Sequence, residues 1–468
     1  MRRTVIIDPV TRANNQGRIE VVIEGGRVVD CRSSCFFFRG FEVMLEGRDP
    51  RDAPYFTERI CGICSAAHAT AAAFALENLA GVRPPRNGNI LRNLILAADT
   101  LQNHIRHFYV LAVPDYVAMP EKPPFTPRYR RGYRLPAGVN ARMIEHYFAA
   151  LDVSRAAHEM VTALGGKAPF GHGIVAGGAT VPPDAAVVLE LRSRLGKIRE
   201  FVRGKMLPDA HAIAEAYPEY FELGKRSVRL LQFGLFPADP ERREFHFPGM
   251  VVEEDRSREV DAASITEHVR HAYFEENGAP RAPGFARPEP RPGKPGGHSW
   301  IKAPRYEGKA FEGGPLARLW ITGRYRRGVS AMDRILARAY ETDLLCNLME
   351  QWLEELEPDR PVFIPFEVPK EGEGLGLTGS MRGNLLHFMR VERGRISRYD
   401  IITPSAWHFS PRDDLGRPGP VEEALLGTPV ETPEEPVEVG RIVRSFDPCY
   451  ACATHVMVGG RKVREFIV

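Results

Sequence analysis

Seven cysteines are spread over the 468 residues: Cys31, Cys35, Cys61, Cys64, Cys346, Cys449 and Cys452. Four of them form two pairs, Cys61-Gly-Ile-Cys64 near the start and Cys449-Tyr-Ala-Cys452 near the end, and each pair is followed closely by a histidine, His68 or His455. An odd, sparse count in a long chain argues against a disulfide scaffold and for reduced thiols, some of them metal ligands. If a helix includes the first pair, Cys61, Cys64 and His68 share one face. Asp447-Pro448 before the second pair supplies a cap-type residue and a first-turn proline, so Cys449, Cys452 and His455 would face one way too. Four thiolates then converge on one metal. A structural zinc held by four cysteines is the commonest explanation of such pairs. Zinc modules close short loops, however, whereas here nearly the whole chain lies between the pairs, and a core of this size needs no metal staple. A metal-free redox dithiol wants a βαβ setting that the pattern does not provide.

The elements that must position these residues are legible as hydrophobic periods. Strand-like alternation at 4–8, 18–24 and 27–33, with Gly25-Gly26 between the last two, predicts a small N-terminal β-element with a tight hairpin. Three-, four- and seven-residue spacing then predicts helices over 65–82, 88–113, 143–164, 185–203 and 333–357. Several long helices in one chain favour a mainly α (α+β) fold, a long-helix bundle core with small peripheral β-elements. The proline-crowded segment 278–297 reads as a loop, not a domain boundary. A second hairpin is predicted at 385–391 and 395–403, followed by irregular chain up to Cys449. The whole of 1–468 reads as one domain, without repeats or low-complexity tracts.

Charge narrows the classes further. With 63 basic and 60 acidic residues and no basic run, nothing marks a nucleic-acid or membrane-surface footprint. No apolar stretch approaches a bilayer span, and the N-terminus leads directly into a strand instead of a signal-peptide core.

RICGICSAAH at 59–68 and DPCYACATH at 447–455 resemble the two signature motifs of the large subunit of nickel-iron hydrogenases. DPVTR at 8–12, FRGFE at 38–42, GRDPRDAP at 47–54, HFYVL at 107–111, SWIKAPRYEGKAFEGGPLAR at 299–318, MRGNLLH at 381–387 and PSAWHFSPRD at 404–413 are similar to further blocks of that family, in its order. The resemblance covers nearly the whole chain and implies that family's large-subunit fold, closest to respiratory uptake enzymes. It implies that Cys61, Cys64, Cys449 and Cys452 bind nickel, and that Cys64 and Cys452 bridge to an iron carrying carbon monoxide and cyanide. Glu42, the carbonyl of Ile401 and His455 would hold magnesium or another divalent ion, and a cation there rationalises a buried carboxylate. His68 would steady a bridging thiolate. Arg382 would hang over the metals, with Ser405, Pro404 and Leu385 around the diatomic ligands. The implied reaction is reversible heterolysis of H2, with Cys449 or Arg382 taking the proton and Asp447 beside them. Cys31, Cys35 and Cys346 lack cluster spacing, so electrons must leave through an iron-sulfur small subunit. A maturation endopeptidase and nickel chaperones are implied as well, since 456–468 looks like a tail that is cut off after nickel loading. Contact with a membrane would be only indirect, through partners, and the compartment is either the cytoplasm or outside it with the small subunit.

Three positions depart from the family pattern. Asn14 stands where the family has a proton-relaying glutamate, Asn103 where it has an aspartate, and Met381 where it has a proline before the arginine. An amide accepts no proton at working pH, and loss of a positioned acid typically forfeits about a hundred- to ten-thousandfold in rate. Either Glu20, Glu58 or Asp447 offers another exit, or the chain is a slow or hydrogen-sensing homologue, or one tuned to different conditions.

Overall fold

The computed structural model describes residues 2–182, 184–239, 244–276, 280–284, 289–357 and 359–450. Cys452, His455 and the tail 456–468 lie outside the described residues. The chain opens as predicted, with Arg3–Ile7, Gly17–Glu24 and Arg27–Cys35 forming an antiparallel sheet in sequence order. Gly25 and Gly26 both take positive φ, as a two-residue hairpin turn of this hand requires. Ile19, Val21 and Ile23 point from the middle strand into the core.

The five long helices stand at Ser65–Ala80, Arg86–Arg106, Ala137–Gly165, Ala185–Phe201 and Ala331–Glu355. The second runs on through a wider π-type turn, His107–Ala112, and among its residues only Arg86 and Arg106 are not buried. No helix among the described residues is long and apolar enough to cross a membrane.

A strand that the sequence pattern hid is Gly372–Ser380, which joins Gly383–Glu392 and Arg395–Ile402 in an antiparallel sheet. Its glycines break the alternation that marks a strand, and they do so for packing. A Cβ on Gly374 would lie 2.0 Å from the carbonyl oxygen of Ala75, and one on Gly376 1.9 Å from that of Ala71. The alanine-rich face of Ser65–Ala80 therefore lies directly on strand backbone, which fixes the start of the helix relative to the Met381-Arg382 turn.

Between 404 and 449 the chain is more regular than its prolines imply. Helices Pro404–His408, Pro420–Leu425 and Val437–Ser445 each start at or just after a proline, where a missing N–H costs nothing. The described part of 278–297 contains only isolated bridge pairings, such as Glu267 with Arg281 and Phe274 with Pro290.

Candidate metal centre

The first cysteine pair does not lie in the helix. Cys61 is extended (φ −152°, ψ 121°) and Cys64 is the N-cap residue, ahead of a helix that begins at Ser65. A shared helical face for Cys61, Cys64 and His68 is therefore corrected to a turn that feeds a helix. Asp447-Pro448 likewise follows a helix, Val437–Ser445, and Asp447 takes φ 58°. Cys449 pairs with Asn14 in an isolated parallel bridge, with Asn14 N–H donating to the Pro448 carbonyl (3.0 Å) and Tyr450 N–H to the Asn14 carbonyl (2.7 Å). The extra backbone freedom of the turn and bridge lets the sulfurs turn inward.

They do meet. One ligand atom from each of Cys61, Cys64 and Cys449 lies within 4.8 Å of the others, all three residues are buried, and the Cys61 and Cys449 sulfurs are 3.4 Å apart. Two anionic sulfurs that close, out of water, repel strongly unless a cation or proton lies between them. A closely spaced thiolate set suits soft and borderline metals, with iron, nickel and zinc among them.

What brings the ends of the chain together is a shared carboxylate. Asp115 accepts two hydrogen bonds from Arg444 (2.6 and 2.7 Å) and one from Arg12 (2.5 Å), tying the C-terminal helix to the N-terminal segment. Burial alone would raise the Asp115 pKa, but the two guanidiniums hold it below the ordinary range. His107 adds a contact from the π-type turn to the Arg444 carbonyl (2.6 Å).

Arg382 sits on the two-residue turn between Gly372–Ser380 and Gly383–Glu392, buried at 3% exposure. Its Nε lies 3.0 Å from Asp447, and its Nη2 donates to Asn103 Oδ1 (2.7 Å), while Nη1 is buried without a protein partner among the described residues. Burial works against its charge, yet Asp447 and the Cys449, Cys64 and Cys61 sulfurs raise its pKa well above the usual value. Asp447 also pairs with Arg338 at 3.3 Å. Burial alone would raise its pKa too, but Arg382, His107 and Arg338 keep it lowered and ionised.

Behind this pair runs a buried ladder that the sequence did not reveal. Arg338 Nη1 donates to His104 Nδ1 (3.0 Å), His104 Nε2 donates to Glu341 (2.8 Å), and Arg318 grips the same carboxylate through two nitrogens (2.5 and 2.7 Å). Burial lowers the His104 pKa to about 4, so the ring is neutral, and the tautomer follows from its two partners. Nothing in a helical period distinguishes Arg338 or Glu341 from solvated charges of an exposed face; only tertiary packing does.

His68 is fully buried, with Nδ1 3.2 Å from His387 Nε2, and His387 Nδ1 is 2.8 Å from the Tyr399 hydroxyl. Burial takes the His68 pKa down to about 4. His387 belongs to the MRGNLLH segment and Tyr399 to a predicted strand, but no spacing rule joins them to His68.

Glu42, in the short helix Phe41–Met44, is not isolated: it accepts from the Ile401 N–H (2.9 Å) and lies 3.9 Å from Lys302, which itself pairs with Glu267 (2.6 Å). In an extended strand the N–H and C=O of one residue point to the same edge. The Ile401 carbonyl therefore also faces the Glu42 side. Leu385 is buried in the same core as the three cysteines. Pro404 and Ser405 are buried in the first turn of a helix that leaves the sheet just past Ile402, the partner of Leu386, and so beside Arg382's end of the hairpin.

Of the acids named as other proton exits, Glu20 reaches Arg32 at 4.0 Å and Asp447 is locked between guanidiniums. Glu58 is buried, and burial pushes its pKa up to about 8. Asn14 presents its amide to the cluster, with Nδ2 3.1 Å from Cys449 and 3.4 Å from Cys61.

Known proteins share this architecture. A family model described as nickel-dependent hydrogenase matches residues 39–122, 118–328 and 323–455. The chain is 38% identical to the periplasmic [NiFeSe] hydrogenase large subunit of Desulfomicrobium baculatum, covering 97% of this chain and 95% of that one. It is 31% identical to the hydrogenase-2 large chain of Escherichia coli (strain K12), over 98% of each. It is also 31% identical to the uptake hydrogenase large subunit of Rhodobacter capsulatus, over 97% and 95%. The structure of the Ni-Fe-Se hydrogenase from D. vulgaris Hildenborough in the reduced state superposes with a TM-score of 0.95 at 39% identity, covering 97% of this chain and 100% of that one. With the fold, the sulfur cluster and the matched length in agreement, the chain belongs to the nickel-dependent hydrogenases, as a large subunit.

Proposed function

We propose that Cys61, Cys64, Cys449 and Cys452 hold the nickel of this hydrogenase, with Cys64 and Cys452 shared with iron, and that Cys449 accepts the proton when H2 is cleaved. The chain is the catalytic subunit for the reversible cleavage of H2 into two protons and two electrons. The observation that carries the site assignment is the gathering of three buried sulfurs, from opposite ends of the chain, near a guanidinium whose Nη1 has no hydrogen-bond partner among the described residues. Selenium in the names of several relatives does not extend to the residues here, since all four motif positions are cysteine.

A nickel-iron centre bound by these four cysteines would supply an electrophile for H2 and a sink for its electrons. The protein supplies the rest. The Cys449 thiolate is a base already at the centre, so no side chain need swing in to receive the proton. Arg382 keeps its charge aimed at the same space, and preorganised charge of this kind stabilises a separating proton without reorganisation. Asp447, ionised and held by two arginines, anchors Arg382. We assign its catalytic contribution to that anchoring. Neutral His68 orients the sulfur side without adding charge.

Carbon monoxide and cyanide on the iron would lie among Arg382, Leu385, Pro404 and Ser405, a mixed apolar and donor-bearing lining suited to small diatomic ligands. Magnesium or another divalent ion would take Glu42, the Ile401 carbonyl and His455; Glu42 and Ile401 already face each other. As a large subunit the chain works with a small subunit. That partner carries iron-sulfur clusters in this reading, because Cys31, Cys35 and Cys346 are dispersed and buried. The family match ends at His455, which supports 456–468 as a peptide removed by a maturation endopeptidase after nickel chaperones have acted.

Metal analysis of the complex purified from its host, together with hydrogen-dependent dye reduction, tests the reading. One nickel per large subunit is expected, with iron in excess of nickel because the partner's clusters add to the iron of the centre; zinc without nickel would overturn it. Mass spectrometry should find the chain ending at His455, and an intact tail on a fully nickel-loaded protein would rule out processing.

A further inference from the structure

We propose that Asn14 is a positioning residue of the metal centre: its carboxamide donates to the Cys449 and Cys61 sulfurs at once and thereby raises the reduction potential of the nickel they hold. The inference rests on the nickel reading of the sulfur cluster.

An amide nitrogen has two hydrogens, and Asn14 Nδ2 lies 3.1 Å from one sulfur and 3.4 Å from the other. The side chain is held there by backbone on both sides. Its own N–H and C=O are used by Pro448 and Tyr450. Arg12 and Asn15, two residues before it and one after, adopt positive φ (52° and 67°); asparagine tolerates this conformation, but for an arginine it costs energy and persists only where surrounding contacts enforce it. Gly17 completes the cradle, because a Cβ there would lie 2.1 Å from the Tyr450 ring. The N-terminal segment is thus shaped around the segment that carries Cys449.

Hydrogen bonds to ligating sulfur withdraw electron density from it and stabilise the more reduced metal, which is how proteins raise the potentials of thiolate-bound centres. An acid in this place donates only while protonated, and once ionised it sets a negative charge against two sulfurs. The amide donates at every pH. This chain therefore carries a permanent donor at two sulfurs that lie 3.4 Å apart.

The test uses the assembled two-subunit enzyme carrying Asn14→Ala or Asn14→Asp, with nickel content measured first and the nickel midpoint potential then followed by electron paramagnetic resonance at fixed alkaline pH. The expected order is wild type highest, N14A lower and N14D lowest. Nickel present with an unmoved midpoint in N14A, or a midpoint in N14D above wild type, overturns the inference and leaves the metal reading intact; absence of nickel from the wild type sinks both. Should the variants lose nickel, thermal unfolding of the metal-free complexes decides. Unfolding at the wild-type temperature means that the amide acts at the metal-binding sulfurs and not on the fold, which supports its positioning role. Early unfolding makes Asn14 a folding residue and overturns the inference.

Discussion

The two flanks of the sulfur cluster are built on opposite electrostatic principles. On one, Arg382, Asp447, Arg338, His104, Glu341 and Arg318 follow one another in a buried ladder of alternating charge, with a neutral imidazole in the middle. On the other, the Asn14 amide and the His68–His387–Tyr399 chain are uncharged. A buried charge is tolerated only where its partner is fixed, so the charged flank locks its protonation states and its geometry together. The neutral flank places dipoles against the sulfurs and leaves their charge to be set by what they bind. The lesson is that one side holds the site rigid and the other tunes it.

The contrast can be broken most severely at Asp447. Asp447→Asn leaves Arg382 and Arg338 buried without the carboxylate between them, and breaking such a pair costs about 3–5 kcal/mol. Urea unfolding of the complex should show that loss together with a fall in turnover, whereas a change below 1 kcal/mol would mean the charged flank is not structural.

On the neutral flank Asn14→Glu restores an acid beside Cys449. H/D exchange and dye reduction should rise by about tenfold to a hundredfold if a missing proton acceptor limits the rate. No gain would remove Asn14 from any account of turnover, and with it the hydrogen-sensing alternative that its amide favours.

Buried neutral histidines give a pH signature. His104 and His408 both have pKa values lowered by burial to about 4, from an ordinary 6.5. His408 accepts from the Gly313 N–H and is surrounded by Glu312, Arg334, Arg226 and Arg338. Between pH 6.5 and 4 the unfolded chain binds more protons than the folded one, so stability is full above 6.5 and falls as pH drops through this window. Each histidine contributes a slope of up to about 1.4 kcal/mol per pH unit. Denaturation over this range should show it, and His408→Gln should flatten the slope by one proton; an unchanged slope would mean His408 is not buried neutral.

The smallest effect is expected at Tyr399→Phe, which removes one neutral hydrogen bond to His387 for about 1 kcal/mol. A large loss of nickel in that variant would show that the His68 chain does more than orient.

Much of the scaffold could be read from the residues. The five long helices and the N-terminal hairpin follow from periodicity, because side chains that recur every three to four residues, or alternate, must be buried on one face. The strand Gly372–Ser380 escaped that logic, since its glycines are chosen by the approach of Ala71 and Ala75 backbone rather than by which face is apolar. The pattern predicts helical cysteine pairs, whereas Cys61 and Cys64 lie in a turn and Cys449 in a bridge, where proximity to distant backbone overrides the local pattern. The charged ladder behind Arg382 was invisible, as a buried and a solvated arginine look the same in a helical period.

Sequence by itself determined which thiols and histidines are on offer as donors, the family resemblance carried by its spaced blocks, and the neutral residues at positions 14 and 103, since those are properties of residue type and order. Only the tertiary structure decided that Cys61 and Cys449 come within 3.4 Å, that Asn14 donates to both, and that Asp447 is spent on holding Arg382. The physical reason is distance along the chain: contacts between residues hundreds of positions apart are fixed by how helices and strands pack, and no local pattern encodes them.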